Sequence, residues 1–214
     1  MDWHEWIRQS LPRTEMLRGG GAVWEVGAQG LTGDALGPVM HLHDGASEIF
    51  YFVAGKCRLE VGDTEELFSA GDFVLVPPEV PHNLWNAAHE DLWVFWIVAP
   101  HLQENKWRTQ SITSVDMGRR TRRVRVEPGA SLPGDDNIRS RLLSLQGGQS
   151  LAERTGVSQE AVLYVASGQA AINVGRLGGV LQANEFVHVP VDTAYSAEAL
   201  GGAAGILVFQ APGA

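Results

Sequence analysis

Short apolar runs closed by glycine or proline recur along the chain. The first half holds EIFYFVAG (48–55), KCRLEVG (56–62), DFVLVPP (72–78) and DLWVFWIVAP (91–100). The second half holds RRVRVEPG (122–129), SRLLSLQGG (140–148), AVLYVASG (161–168), AAINVG (170–175), EFVHVP (185–190) and AGILVFQAP (204–212). Several alternate apolar and polar positions with a period of two, which puts every other side chain on one face of a strand. Runs this short and this closely spaced predict an all-β chain built as a sandwich or barrel. The exception is DWHEWIRQSL near the start, where Asp2 can cap a short helix over about residues 2–10. Trp3, His4 and Trp6 lie on that helix and are expected to pack across a barrel mouth or onto a partner subunit.

The pattern repeats. VAGKCRLEVG (53–62) matches ASGQAAINVG (166–175), and AGDFVLVPPEVPH (70–82) matches ANEFVHVPVDTAY (183–195). Both pairs align at one offset, setting Gly55 against Gly168, Gly62 against Gly175 and Pro77 against Pro190. The chain therefore reads as a duplicated small β-barrel. The expected division is an N-terminal lead over 1–20, a first barrel over 21–105, a linker over 106–118 and a second barrel over 119–214.

Composition narrows the partners. Of 214 residues, 44% are hydrophobic and 19% charged, as in an ordinary globular protein. A formal net charge of −9 argues against nucleic acid or an anionic membrane as the main partner. No apolar run approaches the ~20 residues needed to span a bilayer. The N-terminus lacks the basic start and apolar core of a signal peptide, so a cytoplasmic protein is expected. The single cysteine, Cys57, excludes an internal disulfide and is expected in the core. Five arginines in RRTRRVR (119–125) are expected to flank an outer strand or to meet the acidic surface of a second subunit.

The candidate chemistry lies in HLHDGASEIFYFVAG (41–55). His41 and His43 are two residues apart in an extended segment and project to one side. After the DGAS turn, Glu48 shares a strand face with Phe50 and Phe52. His82 follows a proline-rich turn and opens another strand. Three imidazoles and one carboxylate suit a borderline divalent metal and leave about two coordination positions open on an octahedral ion.

These residues carry a resemblance. His41-x-His43, four residues, Glu48, six residues, Gly55 is similar to the first motif of the cupin family. Gly71, five residues, Pro77, Glu79 in place of the usual turn glycine, His82 and Asn86 are similar to the second. No glycine stands six residues before His41, where the family has one; that position is Ala35. The resemblance implies two tandem cupin-type β-barrels (double-stranded β-helix, or jelly roll). It implies a metal held by His41, His43, Glu48 and His82, with Asn86 structural. The second half resembles a cupin in its strands but not in its ligands. Tyr195 stands at the place of His82, and SLAERTG (150–156) has no histidine. Glu160 is one position out of register with Glu48, and His188 is expected to bond locally. One metal site per chain follows, in the first barrel.

Val39, Phe50, Phe52, Leu84 and Phe95 are the candidate pocket residues. For Phe95 the sequence leaves two faces open, Trp93–Phe95–Ile97 or Leu92–Val94–Trp96. The resemblance implies an iron-dependent oxygenase or dioxygenase acting on a small organic molecule, with Fe(II) favoured over Mn, Ni, Cu or Zn. It also implies a homodimer. Two alternatives stand beside this reading. One is a non-oxidative isomerase, lyase or cyclase, for which Glu79 and Tyr51 are weak candidate bases. The other is a binding module without turnover.

Overall fold

The structure is a computed structural model that describes residues 15–18, 25–31, 40–61, 64–100, 121–156 and 159–212. The expected helix over 2–10 and the linker over 106–118 lie outside these residues. The described residues form strands and turns, with no helix, in two compact units that divide between residues 126 and 127.

The first unit holds β1 (Glu15–Arg18), β2 (Glu25–Leu31), β3 (Ser47–Ala54), β4 (Lys56–Val61), β5 (Thr64–Ser69), β6 (Asp72–Val76), β7 (His82–Asn86), β8 (Leu92–Ala99) and β9 (Arg122–Arg125). Six strands form one sheet in the order β1-β2-β8-β3-β6-β9, and three form another in the order β5-β4-β7. Glu48, Phe50 and Phe52 of β3 stand opposite Val98, Trp96 and Val94 of β8. Glu48 and Phe50 also stand opposite Val76 and Val74 of β6. Directly opposed residues share a face, so this row points one way. There Phe50, Phe52, Val74, Val76 and Val94 pack against Cys57, Leu59, Phe68 and Leu84 of the smaller sheet, forming the barrel core. Each such fully buried side chain contributes about 1.5–3 kcal/mol. Cys57 is fully buried, as expected.

Two segments fall elsewhere than the sequence division placed them. Residues 15–18, assigned to the N-terminal lead, form β1 and pair with β2. Residues 122–125, assigned to the second barrel, form β9 and pair with β6 of the first unit. The physical reason is a buried carboxylate. Asp72 accepts the Ser69 N–H at 2.7 Å and an Arg123 Nη2 bond at 2.6 Å, while Arg123 also lies 4.4 Å over the Phe68 ring. Part of the arginine run thus holds an edge strand onto its sheet.

The second unit holds β10 (Arg139–Leu145), β11 (Ser150–Arg154), β12 (Gln159–Ser167), β13 (Gln169–Val174), β14 (Leu177–Gln182), β15 (Phe186–Val189), β16 (Ala194–Ala199) and β17 (Ala204–Pro212). Its sheets run β10-β17-β12-β15 and β11-β16-β13-β14. They enclose a core that includes Leu163, Val165, Ile172, Val187, Ala197 and Val208.

The duplication is visible in the backbone. Gly55 and Gly168, Gly71 and Asn184, and Glu79 and Asp192 share one sequence offset, and all six have positive φ. The first pair shows why glycine is required. A Cβ on Gly55 would stand 2.5 Å from the Asp91 carbonyl oxygen, and one on Gly168 would stand 2.2 Å from that of Ala203. The bulge in β3 between Phe52 and Ala54 recurs in β12 between Val165 and Ser167.

Candidate metal centre

Backbone pairing sets the first two imidazoles. The His41 N–H donates to the His82 carbonyl at 3.0 Å and the His82 N–H donates back at 2.8 Å, so these residues face each other across adjacent antiparallel segments. The His43 carbonyl accepts the Glu79 N–H at 2.9 Å, strapping His-x-His to the proline-rich turn. Glu79 holds that turn with φ of 62°, the conformation for which glycine is the usual choice. Glu48 comes in from the second position of β3.

The four side chains converge. The Nε2 atoms of His82, His43 and His41 lie 2.6, 2.8 and 3.8 Å from one oxygen, Glu48 Oε2. One candidate ligand atom from each residue lies within 4.8 Å of the others, and all four residues are buried. Burial alone would raise the Glu48 carboxyl. Where the imidazoles are protonated, the charge of His43 and the bonds from His41, His43 and His82 outweigh it and hold the carboxyl well below its ordinary value. Burial also lowers His82, and the Glu48 carboxylate opposes that only in part.

The arrangement fits a cation. His82 Nδ1 lies 2.9 Å from the Val80 carbonyl, which can only accept, so Nδ1 carries the proton. In the neutral ring the Nε2 lone pair then faces Glu48 Oε2 at 2.6 Å, acceptor against acceptor. Burial disfavours the imidazolium that would relieve this contact. A single carboxylate oxygen approached by three imidazole nitrogens is a donor set that a divalent ion satisfies at once. The Val80 carbonyl is the outer partner that fixes the ring's tautomer and orientation. Sequence reading missed it, since a backbone acceptor leaves no mark in residue identity.

The structure places the other expected residues as follows. Phe50 lies on the Glu48 face with its ring 5.8 Å from that of His82, and Phe52 and Leu84 continue the same apolar wall. Phe95 is a correction. It pairs with Tyr51, whose side chain alternates away from Glu48 and Phe50, so it faces the other side of the sheet. Val94 and Trp96 occupy the interior face instead. Val39 lies outside the described residues. Tyr51 stands on the far face with Phe95, and Glu79 is exposed in its turn. Asn86 is structural, with its amide donating to the Glu90 carbonyl at 2.8 Å and accepting the Ala88 N–H at 3.0 Å. His188 bonds locally to Glu160 at 3.0 Å, on the face opposite the second core. Among the described residues, the first unit holds the one cluster of three or more His, Cys, Asp or Glu side chains able to grip an ion.

Residues 22–98 match the family model described as the cupin domain. No curated protein matches the chain in sequence. Solved structures share its fold at low identity. The Ylba protein from E. coli superposes with a TM-score of 0.72 at 14% identity, covering 93% of this chain and 81% of that one. A cupin 2 conserved barrel domain protein from Leptotrichia buccalis gives 0.64 at 14% identity, covering 99% and 95%. The bacterial pirin YhhW from E. coli, in complex with nickel(II), gives 0.65 at 14% identity, covering 90% and 83%. The His-x-His, Glu and His donors thus sit within residues 22–98, the part of the chain that matches the cupin domain model, on a fold shared with these solved structures over nearly the whole chain.

Proposed function

We propose that this chain is a mononuclear metal enzyme, an Fe(II)-dependent oxygenase that acts on a small, partly apolar organic molecule in its first barrel. The observation that carries the reading is the convergence of three imidazole nitrogens on one Glu48 oxygen, with the His82 tautomer already fixed by Val80. Mn, Ni, Cu and Zn suit the same donors, and the nickel(II) complex of the pirin shows that this fold can accept an ion. A bound divalent ion would supply Lewis acidity and about two open positions for substrate and dioxygen.

The chain's own residues do the rest. His41, His43 and His82 present neutral nitrogen lone pairs, and Glu48 supplies the one negative charge. Phe50, Phe52, Leu84, Val94 and Trp96 line the interior with apolar surface, which favours an organic ligand over a phosphorylated one and excludes bulk water. An isomerase or lyase would need a general base beside the ion. Tyr51 faces away and Glu79 is exposed in a turn, so neither candidate favours that chemistry. The proposal includes a bicupin with one metal per chain, a cytoplasmic setting and a homodimeric assembly. It also holds that no nucleic acid or membrane is a partner, in keeping with the net charge of −9.

The test is elemental mass spectrometry on protein purified without added metal or oxygen, followed by oxygen-uptake assays with phenols, enols and diketones. About one iron per chain and substrate-dependent oxygen consumption are expected. A chain that takes up no metal on reconstitution would overturn the metal reading. A chain that turns over substrate without consuming oxygen would overturn the oxygenase reading.

A further inference from the structure

The second barrel has lost the metal donors but not its polar mouth. Strand register gives the correspondence. His41 bridges His82 in the first unit, and Glu153 stands opposite Tyr195 in the second. Thr155 then stands at the place of His43. Ala161 stands at that of Glu48, because β3 and β12 align through their matched bulges. Of the four positions only Glu153 keeps a common metal ligand.

A cation is present all the same. Arg141 of β10 stands opposite Val208, a residue of the second core, and so faces the barrel interior. Its Nη2 donates to Glu153 Oε2 and, at 3.2 Å, to the Tyr195 hydroxyl. The Tyr195 hydroxyl in turn donates to Glu153 Oε2 at 2.5 Å. The guanidinium therefore grips the two residues that replace His41 and His82. At the corresponding place in the first unit Gly27 stands opposite Trp96, so this cation belongs to the second barrel alone.

The network leaves one buried donor unpaired. Arg141 Nε is buried and has no hydrogen-bond partner. A buried N–H without an acceptor costs about 1–3 kcal/mol. The Arg141 side chain as a whole is 39% exposed, so the guanidinium reaches solvent at the barrel mouth. Below it the floor is apolar and built from smaller side chains. Leu163, Val165 and Ala197 stand where the first barrel has Phe50, Phe52 and Leu84. Arg141 and Glu153 balance in charge, so the guanidinium can take a neutral oxygen acceptor as well as an anion.

We propose that the mouth of the second barrel is a metal-free ligand site, in which Arg141 replaces the ion and its guanidinium binds the carbonyl or carboxylate oxygen of a small organic molecule. Glu153 and Tyr195 are positioning residues, holding the guanidinium edge-on to the incoming oxygen.

The test is NMR of the arginine side-chain Nε–H groups in the full chain, loaded with zinc to keep the first barrel occupied by a diamagnetic ion. Arg141→Lys identifies the Arg141 signal by its loss, and Glu153→Gln identifies it independently by its shift. Sodium acetate and acetamide serve as probes, with sodium chloride at matched ionic strength as control. The Arg141 signal is expected to move saturably with at least one probe and not with chloride. Acetate alone would mark a site for carboxylates, and acetamide alone or with acetate a site for neutral carbonyls. Tyr195→Phe is expected to weaken binding about fivefold, the loss of one hydrogen bond. No saturable shift with either probe, or an equal shift with chloride, would overturn the proposal.

Discussion

Replacing Glu48 with Gln separates what the metal site does for the fold from what it does for the ion. Glu48 is 5% exposed, and three imidazole nitrogens approach one of its oxygens. In the metal-free protein the substitution strands no buried charge where the rings are neutral, the form that burial favours at His82. The new amide can also donate to an imidazole lone pair. Its cost to the metal-free fold is therefore expected to stay within about 1 kcal/mol, the net size of one hydrogen bond exchanged for another beside neutral rings. With metal the two proteins part. At free metal a thousandfold above the dissociation constant, binding stabilises the wild-type fold by about 4.1 kcal/mol. A single transition in a chain of this size moves by roughly 2–4 °C per kcal/mol, so the metal should raise the midpoint by about 8–16 °C. Glu48→Gln loses the one charged ligand and should lose most of that rise. Calorimetry without metal and with free metal in thousandfold excess over the dissociation constant makes the comparison. A variant that keeps the full metal-dependent shift would show that Glu48 is not a ligand. A metal-free variant destabilised by much more than the expected amount would show that the carboxylate supports the fold directly.

Three further outcomes follow from the structure. Gly168→Ala should destabilise the second unit by at least about 2 kcal/mol more than Gly148→Ala in urea unfolding, since both have positive φ but only Gly168 has a carbonyl oxygen 2.2 Å from the added carbon. The Arg141 hydrogen bond holds Glu153 below its ordinary carboxyl value, against burial and together with Tyr195. A depressed folded-state value stabilises above the unfolded value of about 4.3 and is lost as pH falls through the folded one, so Glu153→Gln should flatten the loss of stability below about pH 5 relative to wild type. Burial pushes the Cys57 thiol up to about 12, so it should resist a disulfide reagent at pH 8 in the native protein and react fully in denaturant.

Much of this was legible in the residues. The His-x-His, Glu and His spacing names a donor set because strand alternation carries the first two rings to one side, and the fold brings the other two to meet them. The repeat was legible because its punctuation is steric. Gly55 and Gly168 each sit where any Cβ would strike a backbone carbonyl, so both halves keep glycine there. The Val80 carbonyl and the Arg141 network were not legible. The first is backbone. The second depends on which strand of a different sheet carries Arg141 across to Glu153 and Tyr195, a pairing that local pattern does not encode.

Facing errors have one physical source. A strand with one solvated face announces its inner face by polarity, but β8 is buried on both, with Val94 and Phe95 alike shielded from solvent. Nothing in LWVFWIVA then says whether Phe95 or Trp96 looks at Glu48, and only the register with β3 decides. The same one-residue step governs function in the second barrel. Glu160 is a buried carboxylate one position away from the place of Glu48, yet that step turns it to the opposite face, where it bonds His188 instead of entering the barrel. Ala161 takes the inward position, so the second barrel holds a carboxylate beside the position that matches Glu48 and still lacks it as a ligand. With that donor turned away, a metal would find Glu153 alone among the four positions. A guanidinium, which brings its own charge and needs only acceptors, is the cation that the remaining Glu153 and Tyr195 can hold.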